Sequence, residues 1–133
     1  TAGMSAGGLQ ASAMVYARSS YLASATSYSG GIIGFVTDTK PQDPDNKVAA
    51  MIVHGGPKDV VSIIAFEASS TAFKDDLISK GQFAFLCNHG GGHTIPMGIA
   101  TSTWRFFQDH PYGTRPSPYE GGLPAGFPAY CKL

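Results

Sequence analysis

Short apolar stretches bounded by polar or turn residues recur along this chain and predict β-strands. They lie at residues 23–29, 48–53 and 82–87. The second stretch, Val-Ala-Ala-Met-Ile-Val, is apolar throughout, which is typical of a strand that is buried on both faces in a parallel sheet. Each of the three ends beside glycine, histidine or asparagine, so the chain leaves each strand through a loop.

Between these stretches the apolar positions follow helical spacing. Residues 7–20 and 99–107 have this pattern. The clearest helix is predicted where residues step by three and four positions, namely at Ile63, Phe66, Ser70, Phe73 and Leu77. Gly81 is its expected stop. Alternating strands and helices predict an α/β fold, with a parallel sheet and flanking crossover helices.

Two regions lack either pattern. Residues 34–46 carry turn residues and two prolines, and they are predicted to be a connection. The tail, residues 109–133, is rich in proline and glycine and is predicted to wrap the surface of the domain. A chain of 133 residues has room for one domain, so residues 1–133 are interpreted as a single unit.

The charge balance excludes several classes of protein. The chain has nine Lys and Arg residues and nine Asp and Glu residues, so its formal net charge is zero. It therefore lacks the excess of basic residues that binding to nucleic acid or membrane headgroups requires. No apolar run approaches the ~20 residues of a membrane-spanning helix. The first residues, Thr-Ala-Gly-Met-Ser, lack the pattern of a signal peptide.

The two cysteines, Cys87 and Cys131, allow either one disulfide or a pair of buried thiols. Their number excludes a four-cysteine zinc site. Few charges and abundant Ser, Thr, Gly and Tyr favour an exported protein and therefore the disulfide. Such a bond would tie the tail to the strand end that precedes the loop of His93.

The chemistry of the chain is expected to begin at Gly3-Met4-Ser5-Ala6-Gly7, which fits the nucleophile elbow G-x-S-x-G. In this motif a serine occupies a tight strand-to-helix turn, and small neighbours let the strand and helix approach. The turn exposes the hydroxyl and directs helix N–H groups at it. We therefore expect Ser5 to be a nucleophile and the backbone N–H of Ala6 to be an oxyanion donor.

A serine nucleophile needs a base and a group that orients the base. Asp59 follows the strand at 48–53, and His93 follows the strand at 82–87. Carboxyl ends of parallel strands meet at one edge of a sheet, where open α/β folds place ligands. We therefore expect Ser5, Asp59 and His93 to form a catalytic triad, in the chain order Ser, Asp, His of α/β-hydrolases.

Other residues are candidates for the same roles. His89 and His93 are four positions apart, as in helical metal sites, but three glycines between them disfavour a helix, and no metal is expected. His54 is interpreted as a structural hydrogen-bonding residue and His110 as a surface-loop residue. The remaining candidates for the acid lie in the proline-rich connection, namely Asp38, Asp43 and Asp45.

Two further patterns are given non-catalytic interpretations. The string His89-Gly90-Gly91-Gly92 spells a lipase oxyanion motif, but in lipases that motif precedes the nucleophile, so here it is interpreted as a flexible approach to His93. The aromatic residues of the last helix are expected to pack into the core, namely Trp104, Phe106 and Phe107.

Over roughly residues 1–108 the sequence resembles the polyhydroxybutyrate depolymerase and feruloyl/acetylxylan esterase group of α/β-hydrolases. The matching segments are Gly3–Gly8, Ser29–Gly31, Val53–Val61, Gly91–Pro96, which reads Gly-Gly-His-Thr-Ile-Pro, and the helix at Trp104–Phe107. The resemblance implies Ser5, His93 and Asp59 as nucleophile, general base and orienting acid. It also implies extracellular hydrolysis of (poly)esters or of aryl and acetyl esters without a cofactor. Lys58, which precedes the implied acid Asp59, is a departure from the group, whose members have small residues there.

The resemblance covers only the carboxyl half of the α/β-hydrolase fold, beginning at the elbow. We therefore expect an N-terminal half, as missing sequence or a separate chain, to supply the preceding strands, a second oxyanion donor and an export signal. We expect the chain to be active only together with that half. Two alternatives to an esterase remain open. A serine peptidase of the same fold would use the same residues, and a non-catalytic hydrolase-like fragment would lack a complete triad.

Overall fold

A computed structural model describes residues 1–133 and contains seven strands and three α-helices. The strands are β1 (Ala2–Met4), β2 (Ser24–Tyr28), β3 (Ala49–His54), β4 (Val60–Val61), β5 (Ile64–Ala65), β6 (Ala84–Asn88) and β7 (Cys131–Lys132). The helices are α1 (Ala6–Ala17), α2 (Phe66–Ser79) and α3 (Ile99–Asp109). None of these helices is long and apolar enough to cross a membrane.

The central sheet has the strand order β1-β2-β3-β6-β7 and is mostly parallel. The first four strands run in the same direction, and only β7 is antiparallel to its neighbour β6. The register aligns Met4 with Tyr28, Tyr28 with Val53, and His54 with Asn88. The carboxyl ends of β1, β2, β3 and β6 therefore lie along one edge of the sheet.

The helices cover both faces of this sheet. On one face, side chains of α1 and α2 such as Tyr16 and Phe73 pack against Ile52 of β3. On the other face, Phe106 of α3 packs with Met51 of β3. Successive residues of β3 point to opposite faces, so a strand between two helical layers must be apolar at every position. The prediction of an α/β fold with a mostly parallel sheet and flanking helices is confirmed.

The beginning of the second helix was predicted wrongly. Ile63 does not lie on a helix; it lies between β4 and β5, which form a short antiparallel hairpin, and its side chain is 95% exposed. The backbone N–H of Phe66 donates to the carbonyl oxygen of Asp59 at 2.9 Å and closes the base of this hairpin. Helical spacing from Phe66 onward is correct, because Phe66, Phe73 and Leu77 are all buried.

The interpretation of the tail as a surface wrap is incomplete. Tyr119 is only 1% exposed and belongs to the core beside α3, and Cys131 lies in a strand of the central sheet. His110, expected on the surface, is also buried. Its Nδ1 lies 2.9 Å from the carbonyl oxygen of Phe106, and its Nε2 lies 2.8 Å from Ser117 Oγ. A proline-rich segment can therefore enter a core where its polar groups find partners.

The aromatic residues of α3 do not all face the core. Phe106 is fully buried, Phe107 is partly buried, and Trp104 is 64% exposed. The buried face of α3 is formed by Ile99, Ser102, Thr103 and Phe106. Trp104 lies outside this helical stripe, so the expectation that it packs into the core was wrong.

Cys87 and Cys131 are directly opposite each other on β6 and β7 and form a disulfide, as predicted. The bond closes a loop of 44 residues that contains the His93 loop, α3 and the tail. Disulfides are typical of proteins in oxidising compartments, which is consistent with an extracellular location.

Removing this disulfide is expected to lower the free energy of unfolding by about 3–4 kcal/mol, because the unfolded chain gains the freedom of a 44-residue loop. The measurement is urea unfolding of the native protein, of the reduced protein and of the double variant Cys87→Ala/Cys131→Ala. Equal unfolding free energies in the three samples would contradict the expected role of the bond.

Candidate active site

Three side chains from separate loops form a continuous hydrogen-bonded chain at the carboxyl edge of the sheet. His93 Nε2 lies 3.0 Å from Ser5 Oγ, and His93 Nδ1 lies 2.7 Å from Asp59 Oδ1. Ser5 directly follows β1, while Asp59 and His93 each lie five residues beyond the ends of β3 and β6. The structure thus brings together all three residues that the sequence nominated.

Ser5 occupies the turn between β1 and α1 with a φ of 57°, a left-handed conformation that costs free energy in a non-glycine residue. Its backbone N–H donates to the carbonyl oxygen of Tyr28 at 3.0 Å, which fixes the turn above the sheet. Ala6 is the first residue of α1, and its N–H has no acceptor within the helix. The turn therefore presents a hydroxyl beside the positive end of a helix.

The steric demand of the elbow falls partly on a glycine outside the motif. A methyl group at Gly3 would lie 2.1 Å from the carbonyl oxygen of Gly7, so the first motif glycine is required. At Gly7, however, a methyl group would meet nothing within 4 Å. A methyl group at Gly8 would lie 2.4 Å from the carbonyl oxygen of Tyr28. The expectation that both motif glycines must be small is therefore correct only for Gly3.

This difference predicts opposite effects at two adjacent glycines. We expect Gly8→Ala to lower the free energy of unfolding by about 1–3 kcal/mol, because the new methyl group overlaps backbone atoms. We expect Gly7→Ala, on the same helix with open space, to raise it by about 0.5–1 kcal/mol. Chemical denaturation of the two variants measures both effects. Equal destabilisation at the two positions would contradict this interpretation of the elbow.

The Asp59 carboxylate is completely buried and is hydrogen-bonded through both of its oxygens. Its Oδ2 accepts two hydrogen bonds, from Ser29 Oγ and from the backbone N–H of Gly55, both at 2.8 Å. Its Oδ1 faces the imidazole of His93. A buried carboxylate requires such partners because it has no water. The donors on Oδ2 also fix its rotation and direct Oδ1 at His93.

The loop that carries His93 is held against the loop of Asp59 by close backbone contact. A methyl group at Gly55 would lie 1.9 Å from the carbonyl oxygen of Gly92, so only glycine fits there. The backbone N–H of Gly92 donates to the carbonyl oxygen of Gly55 at 3.0 Å. The ring of Phe66 stacks on the imidazole of His93 at 4.9 Å between centroids. Backbone and aromatic contacts together limit the positions that His93 can take.

Sequence reasoning missed three residues that support the site, namely Ser29, Gly55 and Phe66. Ser29 was recognised as the end of a strand and as part of a segment that carries the resemblance, without a role, and Phe66 only as a core position of a helix. The sequence did contain a signal, because Ser29 ends the predicted strand that lies along the chain between Ser5 and the strand before Asp59. In the structure, the residue before it, Tyr28, is the register partner of both Met4 and Val53. A polar residue at the carboxyl end of β2, which lies between β1 and β3, is well placed to reach Asp59.

The rival candidates lie outside this hydrogen-bonded chain. His54 is buried, and its Nδ1 accepts the backbone N–H of Gly56 at 3.1 Å, which agrees with its interpretation as a structural residue. Burial lowers the pKa of His54, although Glu67 and Asp59 oppose the shift. Asp38 and Asp43 accept backbone N–H groups two residues ahead in their own turns.

An apolar groove of about 610 Å³ lies between the segment that follows Ser29 and the β4–β5 hairpin that follows Asp59. Nine of its ten lining residues are hydrophobic, and two of them, Phe35 and Ile63, are each 95% exposed. Ala65 lines this groove and precedes Phe66, which stacks on His93. Exposed apolar surface of this kind is often a binding surface.

No protein-family model, curated protein or solved structure matches this chain.

Proposed function

We propose that this protein is a serine carboxylic-ester hydrolase with the α/β-hydrolase arrangement of Ser5, His93 and Asp59. The observation that carries the proposal is the pair of hydrogen-bond distances, 3.0 Å and 2.7 Å, that links these three side chains through one imidazole. Nucleophile, base and orienting acid in this geometry define acyl-transfer catalysis on several unrelated folds. The elbow conformation of Ser5 adds independent support.

In the proposed first step, Ser5 Oγ attacks the ester carbonyl carbon while His93 Nε2 takes the hydroxyl proton. The carbonyl oxygen becomes an oxyanion, and we assign the backbone N–H of Ala6 as one donor to it. The C–O bond to the alcohol then breaks, and the imidazolium returns its proton to the leaving alkoxide. Asp59 holds the imidazole in the tautomer with a free Nε2 and stabilises its charged form.

In the proposed second step, water attacks the acyl-enzyme carbonyl while His93 Nε2 takes a proton from the water. The bond between the acyl carbon and Ser5 Oγ then breaks, and the proton passes to the serine oxygen. A carboxylic acid leaves and the free enzyme is restored. His93 suits both steps because its side chain is about one-quarter exposed, so that water and substrate can reach it. The Asp59 side chain, in contrast, is completely buried.

Two features support a narrower proposal about substrate and location. None of the side chains that line the apolar groove, from Ile32 to Ala72, is charged. This lining favours esters with an apolar acyl or aryl group. The disulfide between Cys87 and Cys131 supports action outside the cell. We propose secretion and an extracellular aryl ester, acetyl ester or polyester as the substrate.

The direct test is hydrolysis of p-nitrophenyl butyrate by the purified protein, with the matched p-nitroanilide as the amide comparison. We expect saturable ester hydrolysis that greatly exceeds anilide hydrolysis. Preferential cleavage of the anilide would favour the serine-peptidase alternative. Absence of turnover on both substrates by the folded full-length protein would contradict the proposed function.

A further inference from the structure

We propose that Ser29 is a positioning residue of this site, one that acts on His93 through the carboxylate of Asp59. The inference rests on the proposed function of the triad and adds a fourth side chain to it. Ser29 does not contact Ser5 or the ring of His93 by any hydrogen bond. Its Oγ donates to Asp59 Oδ2 at 2.8 Å, on the oxygen that His93 does not use.

The surroundings of Ser29 exclude solvent as a substitute for its hydroxyl. Ser29 is 1% exposed and Asp59 is not exposed at all. The backbone N–H of Ser29 donates to the carbonyl oxygen of Val53 at 2.7 Å, so the residue is anchored to β3. Without the hydroxyl, Asp59 Oδ2 would keep a single donor, the N–H of Gly55, at 2.8 Å. One donor restrains rotation of the carboxylate less than two donors in fixed positions.

The backbone conformation of Ser29 shows that its side chain is not there to form the turn. Ser29 has a φ of 42°, a conformation that glycine adopts without strain and serine does not. Glycine would therefore suit the turn better, and Gly30 and Gly31 follow immediately. What serine adds here is the hydroxyl group, and the only hydrogen-bond partner of that hydroxyl is Asp59.

The experiment compares Ser29→Gly with Ser29→Ala in assays of p-nitrophenyl butyrate hydrolysis. Both variants lose the hydroxyl, but only glycine relieves the backbone strain. We expect kcat to fall by about 10- to 100-fold in both variants, with KM changed by less than about twofold. We expect Ser29→Gly to melt at a higher temperature than Ser29→Ala. If Ser29 acted on stability alone, the more stable variant, Ser29→Gly, would keep a higher kcat than Ser29→Ala.

The pH profile supplies a readout that a purely structural role would not change. The acidic limb of the kcat/KM profile arises where protonation stops His93 from acting as a base. A carboxylate that has lost a donor attracts the protonated imidazole more strongly, so we expect this limb to move to higher pH in Ser29→Gly. The other titratable side chains in this environment are His54 at the end of β3, whose charge interacts with Asp59, and Glu67 on α2 and His89 on the loop of His93, which both interact with His54. These three side chains stay unchanged in both variants.

The outcomes distinguish this proposal from the proposed function. If the wild-type protein hydrolyses the ester and Ser29→Gly keeps both its kcat and its pH profile, Ser29 is not a positioning residue while the triad stands. If the full-length wild-type protein is folded and inactive, the proposed function fails, and the role of Ser29 fails with it. A fall in kcat with a shifted acidic limb and a glycine variant at least as stable as the alanine variant supports both.

Discussion

Replacing Asp59 with Asn is expected to lower kcat by about 10⁴-fold, although the two side chains have the same shape. An amide has only one oxygen, whereas the carboxylate accepts hydrogen bonds on both sides. The N–H of Gly55 belongs to the backbone and cannot rotate away, so the amide oxygen stays on that side. The NH₂ group then faces His93 Nδ1.

An NH₂ group at this position forces His93 into the wrong tautomer. Nδ1 must accept a hydrogen bond, so the ring proton moves to Nε2, the nitrogen that lies 3.0 Å from Ser5 Oγ. A protonated Nε2 cannot take the serine proton. Asp38→Asn is the matched control, because Asp38 is exposed and hydrogen-bonds only within its own turn. Steady-state kinetics on p-nitrophenyl butyrate measures both variants, and equal activities would contradict the assignment of Asp59.

Replacing Ser5 with Ala is expected to lower kcat by about 10⁴- to 10⁶-fold, because the variant lacks the atom that forms the acyl-enzyme. Alanine keeps a Cβ in the left-handed turn, so the backbone strain of the elbow is retained. The loss of activity should therefore occur without a large change in stability. Turnover of the ester and urea unfolding, measured on the same preparation, separate the two effects.

Ser62→Ala is a closely matched control for this variant. Ser62 also has a positive φ, 54°, but it is exposed in the β4–β5 hairpin and makes no side-chain hydrogen bond. Substitution there repeats the change of serine to alanine in a left-handed turn outside the triad. We expect its kcat to stay within about twofold of the wild-type value. Retained turnover in Ser5→Ala would show that another residue is the nucleophile.

The strand ends were predictable from sequence because each apolar run is bounded by polar loop residues. That boundary places Asp59 and His93 at one edge of the sheet as soon as the strands are parallel, and the G-x-S-x-G motif places Ser5 there. Their convergence follows from local patterns and the handedness of crossovers. The three distances themselves depend on the loops, where Gly55 and Gly92 touch. No local pattern in the sequence encodes that contact.

The parts that sequence reasoning got wrong depend on contacts between distant segments. The burial of His110 requires Ser117 and Phe106 as partners, and the entry of Tyr119 into the core requires the face of α3. Proline and glycine content correctly indicated loops there, but composition does not predict which residues of a loop are buried in the core. The exposed position of Ile63 similarly reflects a hairpin of only two residues per strand, which is too short to give a recognisable period.

The most direct test of the central claim is active-site labelling with a fluorophosphonate, followed by peptide mapping of the modified residue. The reagent reacts with a serine only where a base and an oxyanion donor activate it. We predict a single phosphonylated residue, Ser5, with labelling lost in Ser5→Ala and His93→Ala and kept in Ser62→Ala. Labelling at any other serine, or equal labelling in His93→Ala, would contradict the assignment of a triad to Ser5, His93 and Asp59.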